Sequence, residues 1–283
     1  MPQYLYSPTT VAEAVSARQQ APEAVFLAGG TELIADQNRG VDPKGYISLR
    51  GIAGLTGIDV SADRVSIGAL TTIAELKRSA ALADGAAVLT KAARSLGSRQ
   101  VRNRATVGGN IGAGGPERTL IPALLVLDAQ VDIEGAGGRR TAALADIITP
   151  DGTELAPDEI LTTVHLAPVR GPQSYFRIGA RNAVCFATVA LALVVDEDTR
   201  SLCLGLGGVA PTAVRAATAE SLADRVDWDS RTVSADVAQA FGAAAADDSS
   251  PVSDPVATAE YRRHATGVMA RRALQHAFEE DPA

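Results

Sequence analysis

The sequence predicts an α+β fold, and two observations support this prediction. Short β-type runs alternate with short helical segments along the whole chain, which favours α+β over a single doubly wound sheet. Hydrophobic residues make up 46% of the 283 residues, enough core material for two domains or one large one. We find no internal repeat and no low-complexity tract.

Composition narrows the class of protein further. The net charge of −7 disfavours a nucleic-acid-binding surface. No apolar run approaches the roughly 20 residues of a membrane span, and the N-terminus lacks a basic stretch followed by an apolar one. Two cysteines, Cys185 and Cys203, are too few to hold an iron–sulfur cluster or a structural zinc alone. We therefore expect a cytoplasmic protein with two reduced, buried thiols.

Local signals set out the elements in order. Ser7-Pro8-Thr9 precedes a helix start, because a hydroxyl cap, an early proline and Glu13 in the first turn favour one. Further predicted elements of this half are strands at 24–28, 45–49, 130–134 and 160–166, a hairpin of 57–60 with 64–69, and helices at 32–39, 72–78 and 85–96.

A proline- and glycine-containing stretch, residues 168–172, is the best linker candidate. Beyond it we predict strands at 174–180, 187–196 and 202–207, and helices at 218–225, 233–246 and 257–278. The motif at 205–210 fits G-x-G-x-x-A after a strand, but Pro211 lies where a nucleotide-binding helix would already run. We therefore interpret it as a structural glycine turn.

Two glycine-rich stretches, FLAGGTEL at 26–33 and ATVGGNI at 105–111, are the most informative feature. Each begins in a β-prone apolar run that ends at a Gly-Gly pair. Each also carries a hydroxyl or amide side chain near that pair. Glycine permits positive φ and close backbone approach, so that successive amides can point at an anion. We predict that the two stretches converge on one phosphate-bearing ligand.

Other polar side chains leave the site less defined. Arg99, Arg102 and Arg104 precede the second stretch and either contact an anion or form a solvated surface. His165 is predicted in a strand near a sheet edge, and the other two histidines lie on the last helix. No spacing indicates a nucleophile constellation or a metal site.

These residues resemble the FAD-binding medium subunit of the molybdenum hydroxylases, the group that includes xanthine dehydrogenase and aerobic carbon monoxide dehydrogenase. The resemblance covers essentially the whole chain. The matching segments are residues 27–33, 67–72, 97–103, 105–111, 122–125, 205–215, 261–263 and 271–274.

The resemblance implies a fold and a set of cofactor-binding residues. Residues 1–170 would form an FAD-binding fold of the vanillyl-alcohol-oxidase (PCMH-like) type in two subdomains, about 1–55 and 56–170. Residues 173–283 would form a carbon monoxide dehydrogenase flavoprotein-like C-terminal α+β domain. The implied FAD-binding residues are Phe26, Leu27, Ala28, Gly29, Gly30, Thr31, Glu32, Leu33, Leu96, Thr106, Val107, Gly108, Gly109, Asn110, Thr119, Leu161 and Arg177.

The resemblance also implies the activity and the partners. The chain would relay electrons from the [2Fe-2S] clusters of a small iron–sulfur subunit through FAD to NAD⁺, oxygen or a quinone-type acceptor. A molybdopterin large subunit would carry out substrate hydroxylation. No catalytic acid–base residue and no metal ligand is expected in this chain, because the cofactor carries the reaction.

Two departures from the family pattern keep alternatives open. Thr119 stands where the family commonly has an aspartate, with Glu117 as a shifted substitute. Residues 183–186 are apolar (AVCF) where the family often has acidic residues facing the flavin, which bears on NAD⁺ as acceptor. The alternatives are a free-standing FAD-dependent oxidase or monooxygenase on the same fold, and a flavin-free scaffold.

Overall fold

The structure is a computed structural model that describes residues 4–40, 43–181 and 186–279. Its N-terminal elements are β1 (Tyr4–Tyr6), α1 (Val11–Gln20), β2 (Ala24–Leu27), α2 (Leu33–Asn38) and β3 (Gly45–Ser48). The three strands form a parallel sheet with β3 in the centre. We call it the first sheet. The Thr10 hydroxyl caps α1 by accepting a hydrogen bond from the Glu13 amide, which confirms a hydroxyl cap, although Pro8 lies before the helix rather than early in it.

A five-stranded antiparallel sheet, the second sheet, follows with strand order β4-β5-β10-β6-β7. Its strands are β4 (Ile58–Val60), β5 (Val65–Gly68), β6 (Gln130–Gly135), β7 (Gly138–Ala143) and β10 (Ile160–Leu166). The helices between them are α3 (Ile73–Arg78), α4 (Ala87–Ser95), α5 (Arg99–Arg102), α6 (Val107–Gly112), α7 (Ile121–Leu125) and α8 (Leu144–Ile147). A small ribbon of β8 (Ile148–Thr149) and β9 (Gly152–Thr153) completes this part.

The C-terminal part is built on a four-stranded antiparallel sheet, the third sheet. Its strands are β11 (Gln173–Ile178), β12 (Val189–Asp196), β13 (Ser201–Gly207) and β14 (Val214–Arg215). The helices that follow are α9 (Ala217–Glu220), α10 (Ala235–Asp247) and α11 (Ala259–Glu279). Within the described residues, none of the helices has the length and apolarity that crossing a bilayer requires.

One strand belongs to two hydrophobic cores. On β12, Ala192 and Val194 face the core of the second sheet and its helices, whereas Leu191 and Leu193 face the core under α10 and α11. This alternation follows from the two-residue period of a strand. Gly205 on the neighbouring β13 lets α7 approach, since a Cβ there would lie 2.4 Å from the Pro122 carbonyl oxygen. The third sheet is therefore packed on both faces.

Several local predictions were wrong in ways that physical context explains. The second glycine stretch does not leave a strand: Thr106 caps the short helix α6, and its backbone makes only a single β-bridge to Thr72. The segment that carries Arg99 and Arg102 forms the helical turn α5, capped by Ser98. His165 lies in the central strand of the second sheet rather than near an edge, because β5 and β6 both pair with β10. The predicted helix at 218–225 divides into α9 and a 3₁₀ turn.

A polar ladder crosses three strands of the second sheet on the face opposite its core. Asp132 accepts hydrogen bonds from the Thr141 hydroxyl at 2.6 Å, Arg139 Nη2 at 2.8 Å and His165 Nε2 at 2.9 Å. Arg64 Nε donates to His165 Nδ1 at 3.2 Å, which leaves Nε2 as the protonated nitrogen. Burial alone would raise the pKa of Asp132, but these three donors outweigh it and lower the pKa to about 2.

We predict that Asp132→Asn lowers the free energy of unfolding by about 2 kcal/mol at pH 7. The folded pKa lies below the ordinary 3.8, so this stabilisation is present above about pH 4 and is lost as the pH falls towards 2. Urea unfolding at pH 7 and at pH 3 measures the difference. Asp84→Asn, at an exposed position, is the control. A deficit that stays constant between the two pH values would contradict the assignment.

Candidate functional site

The first glycine stretch joins the end of β2 to the start of α2. Gly30 has φ +71°, a left-handed conformation that side chains with a Cβ rarely adopt. The amides of residues 29–32 donate to no acceptor among the described residues. Four successive free amides around a left-handed glycine form a concave donor surface that suits an anion.

The second glycine stretch uses its amides differently. The amides of Val107 and Gly108 donate to the carbonyls of Thr71 and Ala69, at 3.0 and 2.7 Å. The Gly109 amide donates to the Thr106 hydroxyl at 3.1 Å. Asn110 Oδ1 accepts from the amide of Leu120 at 3.1 Å, which fixes the turn before α7. This stretch therefore uses the amides of residues 107–109 to hold itself in place, whereas those of residues 29–32 donate to no acceptor in the described part of the chain.

The structure brings the two stretches into contact. A Cβ added to Gly29 would lie 2.0 Å from the carbonyl oxygen of Arg104, so the two backbones touch directly there. A Cβ on Gly109 would lie 3.9 Å from the Cβ of Ala28 and 2.8 Å from the Thr106 hydroxyl. Only glycine at position 29 permits this approach.

A side chain that the sequence analysis did not single out connects these loops. Arg118 Nη1 and Nη2 donate to Oε2 and Oε1 of Glu32, each at 2.6 Å, and Nε donates to the Gly114 carbonyl. The guanidinium carbon lies 5.6 Å from the centre of the Phe186 ring, over its face. The sequence separation of 86 between Arg118 and Glu32 hides this pair from any local sequence pattern.

The remaining predicted site residues come from several elements. Leu96 ends α4 and Leu161 lies on β10 opposite Ile133, and each is only 8% exposed within the same hydrophobic core. Thr119 is half-buried in the turn beside Arg118. Arg177 lies on β11, in the third sheet. Of residues 183–186, only Phe186 lies within the described residues, and its side chain is exposed.

The basic residues before the second stretch have different roles. Arg102 Nη1 donates to the carbonyls of Leu96 and Gly97 at 2.8 and 2.7 Å, so it caps the end of α4. Arg99 and Arg104 are exposed.

Of the two cysteines, Cys203 is half-buried, and burial raises the pKa of its thiol, which disfavours the reactive thiolate. Cys185 lies outside the described residues.

Comparison with known proteins identifies the family. Residues 2–168 match the FAD binding domain in molybdopterin dehydrogenase, and residues 174–277 match the CO dehydrogenase flavoprotein C-terminal domain. The carbon monoxide dehydrogenase medium chain of Afipia carboxidovorans is 30% identical, over 96% of this chain and 95% of that one. The xanthine dehydrogenase FAD-binding subunit of Escherichia coli is 28% identical, over 95% and 93%.

A solved structure agrees with the sequence relatives. The reconstituted CO dehydrogenase from Oligotropha carboxidovorans superposes with a TM-score of 0.88 and 29% identity, over 99% of this chain and all of that one. The chain is thus an FAD-binding subunit of the molybdenum hydroxylase family. Its class is FAD-dependent oxidoreductase and its cofactor is FAD, which confirms the predicted family, fold class and cofactor.

The backbone of the first stretch fits the cofactor. FAD carries a pyrophosphate, whose oxygens accept hydrogen bonds, and the amides of residues 29–32 are donors with no acceptor among the described residues. The negative charge of Glu32 within this run is paired with Arg118. Neither glycine of the pair presents a side chain that would keep the phosphates away from the backbone.

We predict that Gly29→Ala lowers the free energy of unfolding by about 1–3 kcal/mol, because its methyl group would overlap the Arg104 carbonyl. Gly112→Ala is the matched control, since a Cβ there meets nothing within 4 Å and alanine suits a helix. Chemical unfolding of both variants without added FAD gives the comparison. Equal stability of the two variants would show that the loops do not need this contact.

Proposed function

We propose that this chain relays electrons within a molybdenum hydroxylase complex, between the [2Fe-2S] clusters of a small subunit and an external acceptor. A separate large subunit would carry molybdopterin. The observation that supports this best is the run of free amides at 29–32 against the second glycine stretch, in a chain whose two halves both match the family. Bound FAD would supply the electron-transfer chemistry.

The residues of this chain would hold and cover the cofactor. Amides of the first stretch would bind the pyrophosphate, with Thr106 and Asn110 shaping the opposite wall. Leu96 and Leu161 would contribute apolar packing, and Thr119 and Arg177 would lie towards the ribose and the flavin. The full proposed set is Phe26, Leu27, Ala28, Gly29, Gly30, Thr31, Glu32, Leu33, Leu96, Thr106, Val107, Gly108, Gly109, Asn110, Thr119, Leu161 and Arg177.

We also propose the predicted division of the chain, 1–170 in two subdomains (1–55 and 56–170) followed by 173–283. The first sheet lies within 4–48, the second within 58–166 and the third within 173–215, which supports these boundaries. The low cysteine content supports a cytoplasmic location.

The acceptor is NAD⁺, oxygen or a quinone-type compound. The apolar stretch at 183–186 lacks the acidic side chains of the family pattern, which counts against NAD⁺. The same stretch and Thr119 favour the second candidate, a free-standing FAD-dependent oxidase or monooxygenase. The two candidates differ in whether iron–sulfur and molybdenum chains accompany this one.

We expect tagged protein purified gently from its native host to show flavin absorption together with broad iron–sulfur absorption. The flavin, released and identified, should be FAD at one per chain. Flavin bands without iron–sulfur absorption would support the free-standing flavoenzyme instead. A colourless protein that does not take up added FAD would refute both candidates and leave only a scaffold.

We expect Gly30→Val and Gly109→Val to abolish FAD retention. Valine cannot readily adopt the left-handed φ at position 30, and at position 109 its Cβ would lie 2.8 Å from the Thr106 hydroxyl. Gly137→Val, in the turn between β6 and β7, is the control because a Cβ there meets nothing within 4 Å. FAD per chain after gel filtration is the measurement. Normal FAD content in both site variants would place the cofactor elsewhere.

A further inference from the structure

Arg118 makes an unusually complete set of contacts beside the first glycine stretch. Two of its nitrogens bind both oxygens of Glu32, the third binds the Gly114 carbonyl, and the Phe186 ring lies against the guanidinium. The Arg118 side chain is only 11% exposed, and that of Glu32 is 37% exposed. The pair thereby connects the loop after β2 with the turn before α7.

The position of Glu32 creates an electrostatic problem for a phosphate ligand. Glu32 supplies one of these free amides, so its own carboxylate lies on a residue whose backbone would face the pyrophosphate. A carboxylate this near to phosphates repels them, and partial burial strengthens the repulsion. A bidentate guanidinium cancels the carboxylate charge and also fixes its direction.

We propose that Arg118 is a positioning residue for FAD, which acts by neutralising Glu32 and holding its carboxylate against the turn at 114–118. This inference rests on the proposed FAD site at the first glycine stretch. In this inference Arg118 works through Glu32, because both of its terminal nitrogens donate to the Glu32 carboxylate and its Nε donates to the Gly114 carbonyl.

A purely mechanical link between the two loops makes a different prediction. If the pair only tied the loops together, removing either partner would weaken FAD binding equally. If Arg118 acts by neutralising Glu32, loss of Arg118 is harmful only while the carboxylate remains. Loss of the carboxylate alone is harmless, because it removes the repulsion and leaves a cation nearby.

The test uses the full chain, stripped of FAD and titrated with FAD while flavin fluorescence is followed. We expect Arg118→Met to bind FAD about tenfold more weakly or worse, since a tenfold loss corresponds to only about 1.4 kcal/mol. Glu32 belongs to the proposed site through its backbone amide, which Glu32→Gln retains, so this variant should bind FAD at least as tightly as the wild type. The double variant should recover to within about threefold of the wild type, if the repulsion is what Arg118 relieves.

Salt supplies a second readout that a mechanical link would not change. Added salt screens the repulsion between exposed charges over about 10 Å at 0.1 M, so it should improve FAD binding by Arg118→Met but not by the double variant. The control is the Arg140–Glu159 pair on the second sheet, which is also bidentate, through Nε and Nη2 of Arg140 at 2.7 and 2.8 Å. Arg140→Met and Glu159→Gln should leave FAD affinity unchanged.

The outcomes separate this inference from the proposed function. A wild-type chain that binds no FAD would refute the proposed function itself. A wild type that binds FAD, with a double variant as weak as Arg118→Met, would overturn neutralisation by Arg118. If Arg118→Met does not fold, by circular dichroism, Glu32→Gln alone decides: weaker FAD binding by more than about threefold would overturn the inference.

Discussion

The direct approach of two backbones at Gly29 is the constraint on which the rest of the site depends. Any side chain there would overlap the carbonyl of Arg104, so the two glycine stretches lie together only because position 29 has none. Their contact joins the loop that follows β2 in the first sheet to the residues that precede α6, a helix packed on the second sheet. Within this contact the roles divide: residues 107–109 of the second stretch use their amides to hold it in place, and the amides of residues 29–32 have no acceptor among the residues that the structure describes.

An arrangement of free donors is useful only if the nearby charges favour the ligand. In the proposed FAD site, the Glu32 carboxylate alone would work against an anion, and its ion pair with Arg118 would compensate for that charge. The glycines would give phosphates access to the backbone, and the arginine would remove a local source of repulsion.

Local pattern was sufficient to predict most of the elements, since capping at Thr10, the hairpin of β4 and β5 and the strands of the third sheet depend on adjacent residues. The glycine stretches, through their resemblance to a family, predicted FAD as the cofactor. Context beyond the local sequence decided the rest. Thr106 starts a helix where the pattern indicated a strand end, and the sheet order places His165 centrally. The pairing of Glu32 with Arg118 depends on the folded chain alone.

The alternating faces of β12 bear on how this protein evolves as a module. A segment whose neighbouring residues belong to two different cores cannot be exchanged, excised or grafted without exposing apolar surface on whatever remains. The proline–glycine stretch at 168–172 lies between parts of the chain that pack together, because β12 contributes Ala192 and Val194 to the core of the second sheet and Leu191 and Leu193 to the core under α10 and α11. A cut at this stretch would leave apolar surface on both products, even though the local sequence favours a linker.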